Sequence, residues 1–442
     1  MKKLFIVLCG FILLKISSVF AQDDGQALVS LSISEAVELS IAHSEDIQIS
    51  QENIKKMDNT YTQVRASILP NITGKVDWDH YIKSPVLSID LGEGNMDIPL
   101  KQDWDVRAGA TVSQLVWAFG KVNTAINIAR EAIGIEKLAY QVTKNELIFA
   151  VKRAYYTILF AEETVKIADE SHKNAQTNKS ALKTRFGKGR SSRIDNIKMS
   201  ADVASRMPTV LQAEKNLDQI TISFKNMVGM GKDAGITFTD DLIREFPEYN
   251  FDDIQKIMLH KEPMLNVFRK NVGLQDQVIR LKKADIYPTL SGFATYNYAG
   301  NGDNIYPQDE IQPEVIAGLR LNLTFWDSGA MLGSYRQAQN DRAIAGLAYK
   351  KKIEELEVEL QSIRSEYVSL IESYKANQTA LNLAEESYRI ALSSYKSGAV
   401  SQTMLNDAEL QLTVAKLRTL TNLYNINMLI ITIEKLIVKD DL

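Results

Sequence analysis

Few side chains of this chain are arranged for covalent chemistry. The histidines and the single cysteine lie far apart in the sequence: His43, His80, His172, His260 and Cys9. A zinc site needs several such ligands at short spacings and a disulfide needs two cysteines, so both are excluded. The glycine-lysine segments 187–192 (GKGRSS) and 228–235 (VGMGKDAG) lack the Gly-Lys-Ser/Thr of a phosphate-binding loop. His-Glu-x-x-His and Gly-x-Ser-x-Gly are also missing from the sequence, which argues against an enzyme.

Charge and composition narrow the class of protein further. The 51 Lys and Arg residues are nearly balanced by 55 Asp and Glu residues, and the formal net charge is −4. Because there is no basic excess to neutralise phosphates, the sequence argues against a nucleic-acid binder. A chain of 442 residues that is 45% hydrophobic is too long for one ordinary compact domain and too apolar for a disordered protein. Its 9 prolines favour long, uninterrupted helices.

Residues 1–21 have the pattern of a secretory signal peptide. Lys2 and Lys3 form a short positive region, the apolar run 4–14 follows, and Val19-Phe20-Ala21 fits a cleavage site. The apolar run is short for the alternative, a transmembrane anchor. We therefore expect an exported chain that begins at Gln22 and contains no cysteine.

The rest of the chain reads as two copies of one pattern, over 22–249 and 250–442. The offset that takes Phe186 to Tyr395 also takes Trp117 to Trp326. In each copy a helical segment ends at a proline, and a segment with alternating apolar residues follows. Identity between the copies is low, so the repeat is predicted from pattern and spacing.

Each copy contains a segment that alternates with period two, over about 70–117 and 288–326. Such alternation predicts a strand hairpin with one apolar face, joined by a loop at roughly 81–103 or 299–312. The strands exceed the roughly 9–11 residues that cross a bilayer, one face is charged, and aromatics cluster toward the strand ends. A soluble β-sandwich is the alternative for such strands alone. Because four strands cannot close and open edges are not tolerated in lipid, several copies must join, and spacing alone does not choose between two and three.

Long helices surround these hairpins. A 3/4 spacing of seam residues runs from Ala154 to Phe186 and again from Ile363 to Tyr395, as in a coiled coil. Pro208 is expected to kink or break the helix that contains it. Leading helices over about 34–68 and 252–286 are expected to be interrupted near Ser44 and Glu262. The long helices and the helices that return from them are predicted over 121–186, 193–228, 329–395 and 402–437.

The order of these elements resembles the TolC family of outer-membrane efflux proteins across the mature chain. Leu31–Ile47 (LSISEAVELSIAHSEDI) is similar to the opening helix of that family, and Glu262–Leu265 (EPML) to its repeated counterpart. Phe325–Gly329 (FWDSG) is similar to the turn that starts its long helix. Tyr395–Ser401 (YKSGAVS) is similar to its helix-tip turn.

The resemblance implies a fold that is mostly α with membrane β, built from two structural repeats. It implies a homotrimer in which four strands per protomer form a twelve-stranded outer-membrane barrel, continued by a long α-helical barrel in the periplasm. It also implies a passive exit duct, without a cofactor, of a tripartite drug efflux or type I secretion system. The expected partners are a periplasmic adaptor protein and an inner-membrane transporter of the RND or ABC kind. The alternative is a secreted coiled-coil structural or adhesin protein.

The resemblance also implies roles for residues at the helix turns. Asp407 would line the tunnel entrance, where Met404 stands at the family's other acidic position, and Tyr395 could hydrogen-bond Asp195 to latch the closed gate. From the residues alone, Asp195 is equally a helix cap, and Asp407 equally part of a solvated face. Val400 replaces a family arginine, so Arg190 and Arg193 are candidate substitutes. The residues implied to contact the adaptor are Gly187, Gly189, Arg190, Ser192, Gly398, Val400 and Ser401.

Overall fold

A computed structural model describes residues 29–90, 92, 95–100, 103–186, 192–302 and 312–438. The expected signal peptide lies outside this range, as do Gly187, Gly189 and Arg190. The chain divides into two compact units. The helical unit holds the described residues up to Glu45, then Lys144–Met258, and those from Glu359 onward. The sheet unit holds Asp46–Thr143 and Leu259–Val358.

The described elements follow one order in both halves of the chain: paired short helices, strands, a long helix and a return helix. The helices are α1 (Ile33–His43), α2 (Glu45–Ala66), α3 (Lys121–Phe186), α4 (Arg193–Met227), α5 (Phe251–Lys261), α6 (Pro263–Ala284), α7 (Ala330–Ser397) and α8 (Gln402–Ile437). The strands are β1 (Val29–Leu31), β2 (Asn71–His80), β3 (Val86–Asp90), β4 (Asn95–Pro99), β5 (Trp104–Trp117), β6 (Ile236–Phe238), β7 (Thr289–Gly302) and β8 (Gln312–Asn322). Within the described part of the chain, no helix combines the length and apolar character needed to cross a membrane.

Local capping explains where the paired short helices begin. The hydroxyl of Ser32 accepts the backbone N–H of Glu35, and the Glu35 carboxylate accepts that of Ser32, which is a complete capping box. These hydrogen bonds, the backbone one first, lower the pKa of Glu35. In the second half, Glu262 caps α6 and Pro263 occupies its first turn. The leading helices are interrupted at Ser44 and Glu262, as the sequence predicts.

Two expectations from the sequence are corrected by the structure. Helix α4 continues through Pro208 from Arg193 to Met227, so of the two outcomes expected there the break is absent, and the kink stays a prediction. A proline removes one backbone hydrogen bond from a helix, and Val210 shortly after it is already buried again in the packing. The segment predicted as a loop over about 81–103 contains a hairpin of its own, because β3 and β4 pair antiparallel within it, from Val86↔Pro99 to Asp90↔Asn95. Leu87 and Ile89 alternate there with Ser88 and Asp90, which is too short a period-two pattern to predict a strand.

The sheet unit contains a four-stranded antiparallel sheet in the order β2-β5-β7-β8. Strand β2 pairs with β5 from Asn71↔Ser113 to His80↔Trp104, and β5 pairs in turn with β7. A register shift between Leu115 and Trp117 marks a bulge where β5 approaches α3. Strands β2 and β8 are the edges, and neither has a second partner strand among the described residues.

The helical unit is tied together by its own short sheet and by Tyr155. Strands β1 and β6 pair in parallel. The Tyr155 hydroxyl lies 2.9 Å from the carbonyl of Leu31 and 2.9 Å from the Asp240 carboxylate, which also accepts the backbone N–H of Ile33 at 2.8 Å. Burial, with the neighbouring Asp240, raises the pKa of Tyr155 to about 12. The linker between the repeats thereby caps α1 from a distant part of the sequence.

Candidate functional site

The ends of the four long helices pack on one apolar cluster in the helical unit. We call it the tip cluster, and its buried members come from α3, α4, α7 and α8: Leu182, Met199, Tyr388, Tyr395, Leu405 and Leu412. Full burial of each large apolar side chain contributes roughly 1.5–3 kcal/mol. The cluster therefore holds the ends of both helical hairpins together within one chain.

The second tip turn, residues 398–401, reverses the chain between α7 and α8. Gly398 has a positive φ of 93°, a conformation that glycine adopts without strain. The N–H of Gly398 and that of Ala399 donate to the carbonyl of Ser394 at 3.1 and 2.9 Å, which ends α7. Ser401 then caps α8, because its hydroxyl accepts the N–H of Met404 at 3.3 Å. Val400 packs against the tip cluster.

The first tip turn leads from α3 into α4, and the structure describes it from Ser192 onward. The Asp195 carboxylate accepts the Ser192 N–H at 3.0 Å, and the Ser192 hydroxyl accepts the Asp195 N–H at 3.2 Å. This is a complete capping box, so the helix-cap interpretation of Asp195 is confirmed. The expected gate role of Asp195, and its hydrogen bond with Tyr395, stay predictions.

The remaining residues of the expected gate occupy different surroundings. The Tyr395 side chain is only 2% exposed and belongs to the tip cluster. Asp407 lies on an exposed face of α8, and Met404 on the same helix is 60% exposed. The structure therefore places Tyr395 in the packing between helices and Asp407 at the surface of the chain, and the role of Asp407 in a gate stays a prediction.

A buried ion-pair cluster, which was not predicted from the sequence, lies next to the tip cluster. The side chain of Glu409 is fully buried. Its carboxylate forms an ion pair with Arg206 and accepts hydrogen bonds from Ser171 at 3.0 Å and Thr413 at 3.1 Å. Arg206 in turn donates to the Ser171 hydroxyl at 2.6 Å and pairs with Asp202 at 3.3 Å.

The charges of this cluster reinforce one another despite their burial. Burial alone would lower the pKa of Arg206, but the hydrogen bond and the negative charge of Glu409, together with Asp202, outweigh burial and raise the pKa. The nearby Tyr388 has a raised pKa, first because it is buried and then because of Glu409. A sequence signal was available, since Glu409 lies between Leu405 and Leu412 at the 4/3 spacing of a helical seam.

In the sheet unit, the two faces of the four-stranded sheet have opposite character. One face carries no Asp, Glu, Lys or Arg along the described strands. Its large apolar side chains are exposed in the chain, for example Val76 at 74% and Leu319 at 72%. The other face is charged, with Arg107 paired to Asp105 at 2.9 Å and to Asp79 at 3.5 Å. A lipid-facing surface and a water-facing surface require this division.

All four tryptophans of the chain lie near the two ends of this sheet. Near the loop end, Trp104 stacks between Trp78 at 4.6 Å and His80 at 3.9 Å, measured between ring centroids. Trp117 lies at the end near the helices, and Trp326 follows β8 and is 83% exposed. Aromatic rings at both borders of an apolar band are typical of the two membrane–water interfaces.

The model of one protein family matches most of this chain. The family is described as outer membrane efflux protein, and its model matches residues 36–230 and 256–437. The two matched segments fall in the two halves of the chain. The chain is also 21% identical to nodulation protein T of Rhizobium leguminosarum bv. trifolii over 399 residues, which cover 86% of this chain and 79% of that protein.

Solved outer-membrane proteins share the fold. The outer membrane protein VceC of Vibrio cholerae superposes with a TM-score of 0.77 at 14% identity, over 92% of this chain and 95% of that one. The CmeC outer membrane channel of Campylobacter jejuni superposes with a TM-score of 0.75 at 14% identity, over 92% of this chain and 85% of that one. The non-enzymatic transport function and the outer-membrane location, with the helical portion in the periplasm, follow from the family match. The chain belongs to the outer membrane efflux protein family.

Proposed function

We propose that three copies of this chain form the outer-membrane exit duct of a tripartite efflux or type I secretion system. The observation that carries the proposal is the four-stranded sheet, which is apolar on one face and charged on the other, and whose edge strands have no further partner strand in the described part of the chain. A sheet with free edges is not stable in lipid, because unpaired backbone groups there cost several kcal/mol each. Pairing β2 of one copy with β8 of the next satisfies these groups, and three copies give twelve strands around a charged lumen.

Helix α4 supports the same association in the helical unit. Four of its apolar residues lie on one side of the helix, at intervals of 3, 14 and 11 residues, and are exposed in the single chain. We call them the α4 seam: Ile194, Ile197, Leu211 and Ile222, exposed by 59, 60, 52 and 41%. A helix in water keeps such a stripe only where another surface covers it. A neighbouring copy is the proposed cover, in keeping with the trimers that the family generally forms.

The tip turns are the proposed contact with a periplasmic adaptor that belongs to an inner-membrane RND or ABC transporter. Ser192, Gly398, Val400 and Ser401 are the described members of this contact. An adaptor that binds the open tips better than the closed tips would shift the balance toward the open state. Transport through the duct is then passive, and the energy comes from the inner-membrane partner.

Asp407 and Asp195 are the proposed acidic gate residues. Three Asp407 carboxylates would surround the tunnel axis and favour cations over anions through their charge. Single-channel recording in planar bilayers tests this. We expect a gated conductance with cation preference, and reduced preference in the double variant Asp195→Asn, Asp407→Asn. Unchanged opening and preference in that variant would refute the gate assignment, whereas a wild-type protein that conducts nothing would refute the proposed duct.

A further inference from the structure

One fully buried carboxylate interrupts the apolar packing of α8 in the helical unit. Glu409 lies between Leu405 and Leu412, both of which belong to the tip cluster. A leucine in its place would extend that cluster without a charge. The polar partners of Glu409 come from other helices as well as its own: Ser171 on α3, Arg206 on α4 and Thr413 on α8.

A second ion pair repeats the connection one heptad further along α8. Lys416 lies 2.6 and 2.7 Å from the two carboxylate oxygens of Glu170 on α3. Glu170 precedes Ser171, which contacts Glu409 and Arg206. Two consecutive heptads of α8, from the second half of the chain, are thus connected by ion pairs to helices of the first half.

Such an arrangement contributes little to stability, but it fixes the position of the helices that it joins. Removing two charges from water costs several kcal/mol per ion, and a buried ion pair often does no better than apolar residues of similar volume. The buried carboxylate must, however, contact all of its partners at once, because a buried carboxylate without them is strongly destabilising. A shift of α8 by one residue would separate Glu409 from both Ser171 and Arg206. Only one axial position of α8 against α3 and α4 therefore satisfies the cluster.

The position of Glu409 along α8 gives this restraint a functional consequence. Glu409 is the seventh residue after Gln402, where α8 starts, which is about 10 Å along the helix. The exposed Asp407 lies on this short segment, between the second tip turn and Glu409. We propose that Arg206 and Glu409 are positioning residues that anchor α8 to α3 and α4, hold the second tip turn and Asp407 in the closed position, and confine opening to residues 398–408. This inference rests on the proposed gated duct.

The test compares the buried pair with an exposed pair of the same chemistry. The variants are Glu409→Gln, which removes only the charge, and the double variant Arg206→Met, Glu409→Leu, which replaces the pair with apolar side chains. The matched control is Arg389→Met, Glu386→Leu on α7, whose ion pair at 2.6 Å is well exposed. Each protein is examined as the assembled oligomer for its thermal unfolding midpoint and for open probability in planar bilayers.

We expect the apolar double variant to assemble with a midpoint equal to or above that of the wild type, yet to open about tenfold more often. Glu409→Gln should also open more often, and the control should behave as the wild type. A structural role alone would leave gating intact once stability is restored. The proposal is overturned if the assembled double variant opens as rarely as the wild type, or if it fails to assemble, since the pair would then serve assembly. A wild type without conductance would instead refute the proposed function.

Discussion

The two return helices occupy equivalent places in the repeat but face different surroundings. Helix α4 has 35 residues and α8 has 36. Fourteen residues of α8 are buried within the chain, whereas only three residues of α4 are buried: Met199, Val210 and Phe224. Helix α8 is therefore part of the core of its own chain, and α4 presents its apolar seam outward. The two repeats thus share the length of the return helix and differ in the surface against which it packs.

The two tip turns differ in a similar way. Ser192 and Ser401 cap α4 and α8, and each hydroxyl accepts a backbone N–H from the residue three positions later. In the first repeat that residue is Asp195, whose carboxylate returns the hydrogen bond. In the second repeat it is Met404, which cannot. Among the described residues, the cap of α4 thus has two reciprocal hydrogen bonds between Ser192 and Asp195, whereas the cap of α8 has the one between Ser401 and Met404 and is supplemented by the apolar contact of Val400.

The largest expected effect is a difference in the free energy of unfolding between substitutions at two equivalent leucines, one in each return helix. Leu211 and Leu420 are equivalent in the repeat, yet Leu211 is 52% exposed and Leu420 is 8% exposed. Leu420→Ala should lower the free energy of unfolding by about 2–5 kcal/mol, because it leaves a cavity in the core of the chain. Leu211→Ala, the control, should cost the isolated chain under about 0.5 kcal/mol, as surface substitutions do. Urea unfolding of the chains after dissociation to monomers in detergent measures both, and equal losses would contradict the comparison.

A charge placed on the α4 seam should weaken the association between copies and should not destabilise the single chain. Leu211→Glu would bury a carboxylate where a neighbouring copy is proposed to pack. We therefore expect the variant oligomer to dissociate already at a protein concentration about tenfold higher than the concentration at which the wild-type oligomer dissociates. The matched control is Glu214→Gln on the same helix, which adds no charge. Analytical ultracentrifugation in detergent reports the change. An oligomer that tolerates Leu211→Glu would show that another surface covers the seam.

Removal of the caps should affect the first tip turn more than the second. Ser192→Ala removes the hydroxyl that accepts the Asp195 N–H at 3.2 Å, and with it the reciprocity of the capping box, so it should destabilise the start of α4 by about 1 kcal/mol. Ser401→Ala loses one hydrogen bond of 3.3 Å and should cost α8 about 0.5 kcal/mol. Hydrogen exchange of the first-turn amides compares the two helices directly. A greater loss of protection in α8 would reverse the proposed asymmetry.

The smallest expected effect is a gain in the stability of the first turn of α8. Met404→Glu places a carboxylate three residues after Ser401, which completes the Ser-x-x-Glu capping box that the second repeat lacks. We expect α8 to be stabilised by about 0.5 kcal/mol, seen as slower hydrogen exchange in its first turn. Met404→Gln is the uncharged control and should give part of the gain. No change with either substitution would mean that packing, and not capping, fixes the second tip turn.

Much of this fold can be predicted from the sequence because its elements are long and regular. The proline-free seam predicts a helix over 121–186, where the structure has Lys121–Phe186. Period-two alternation likewise predicts the strands of the main sheet. The hairpin of β3 and β4 was missed because five-residue strands give little periodic signal. Of the kink or break expected at Pro208, the break was wrong, because the proline removes only one of the backbone hydrogen bonds of α4 and the helix continues on both sides.

The site was harder to predict than the fold. Tyr395 is recognisable as a seam residue, and its burial in the tip cluster agrees with that spacing. Asp195 could be read as a cap or as a gate residue, and only coordinates reveal its reciprocal hydrogen bonds with Ser192. Glu409 escaped because a charged residue on a helix is normally assigned to the solvated face. Its burial depends on Arg206, which is distant in sequence and which periodicity within α8 cannot reveal.

The most direct test of the account is cysteine cross-linking between the two edge strands of the sheet. The only native cysteine, Cys9, lies in the expected signal peptide, so any cross-link comes from the introduced cysteines. These replace Val76 on β2 and, on β8, one of Val315, Ala317 or Leu319. Within one chain, three strand spacings of about 4.8 Å separate β2 from β8, about twice the reach of a disulfide. We predict that at least one pair yields oxidised bands at two and three times the chain mass and none larger. Exclusively monomeric protein for every pair would contradict the closure of the sheet between copies.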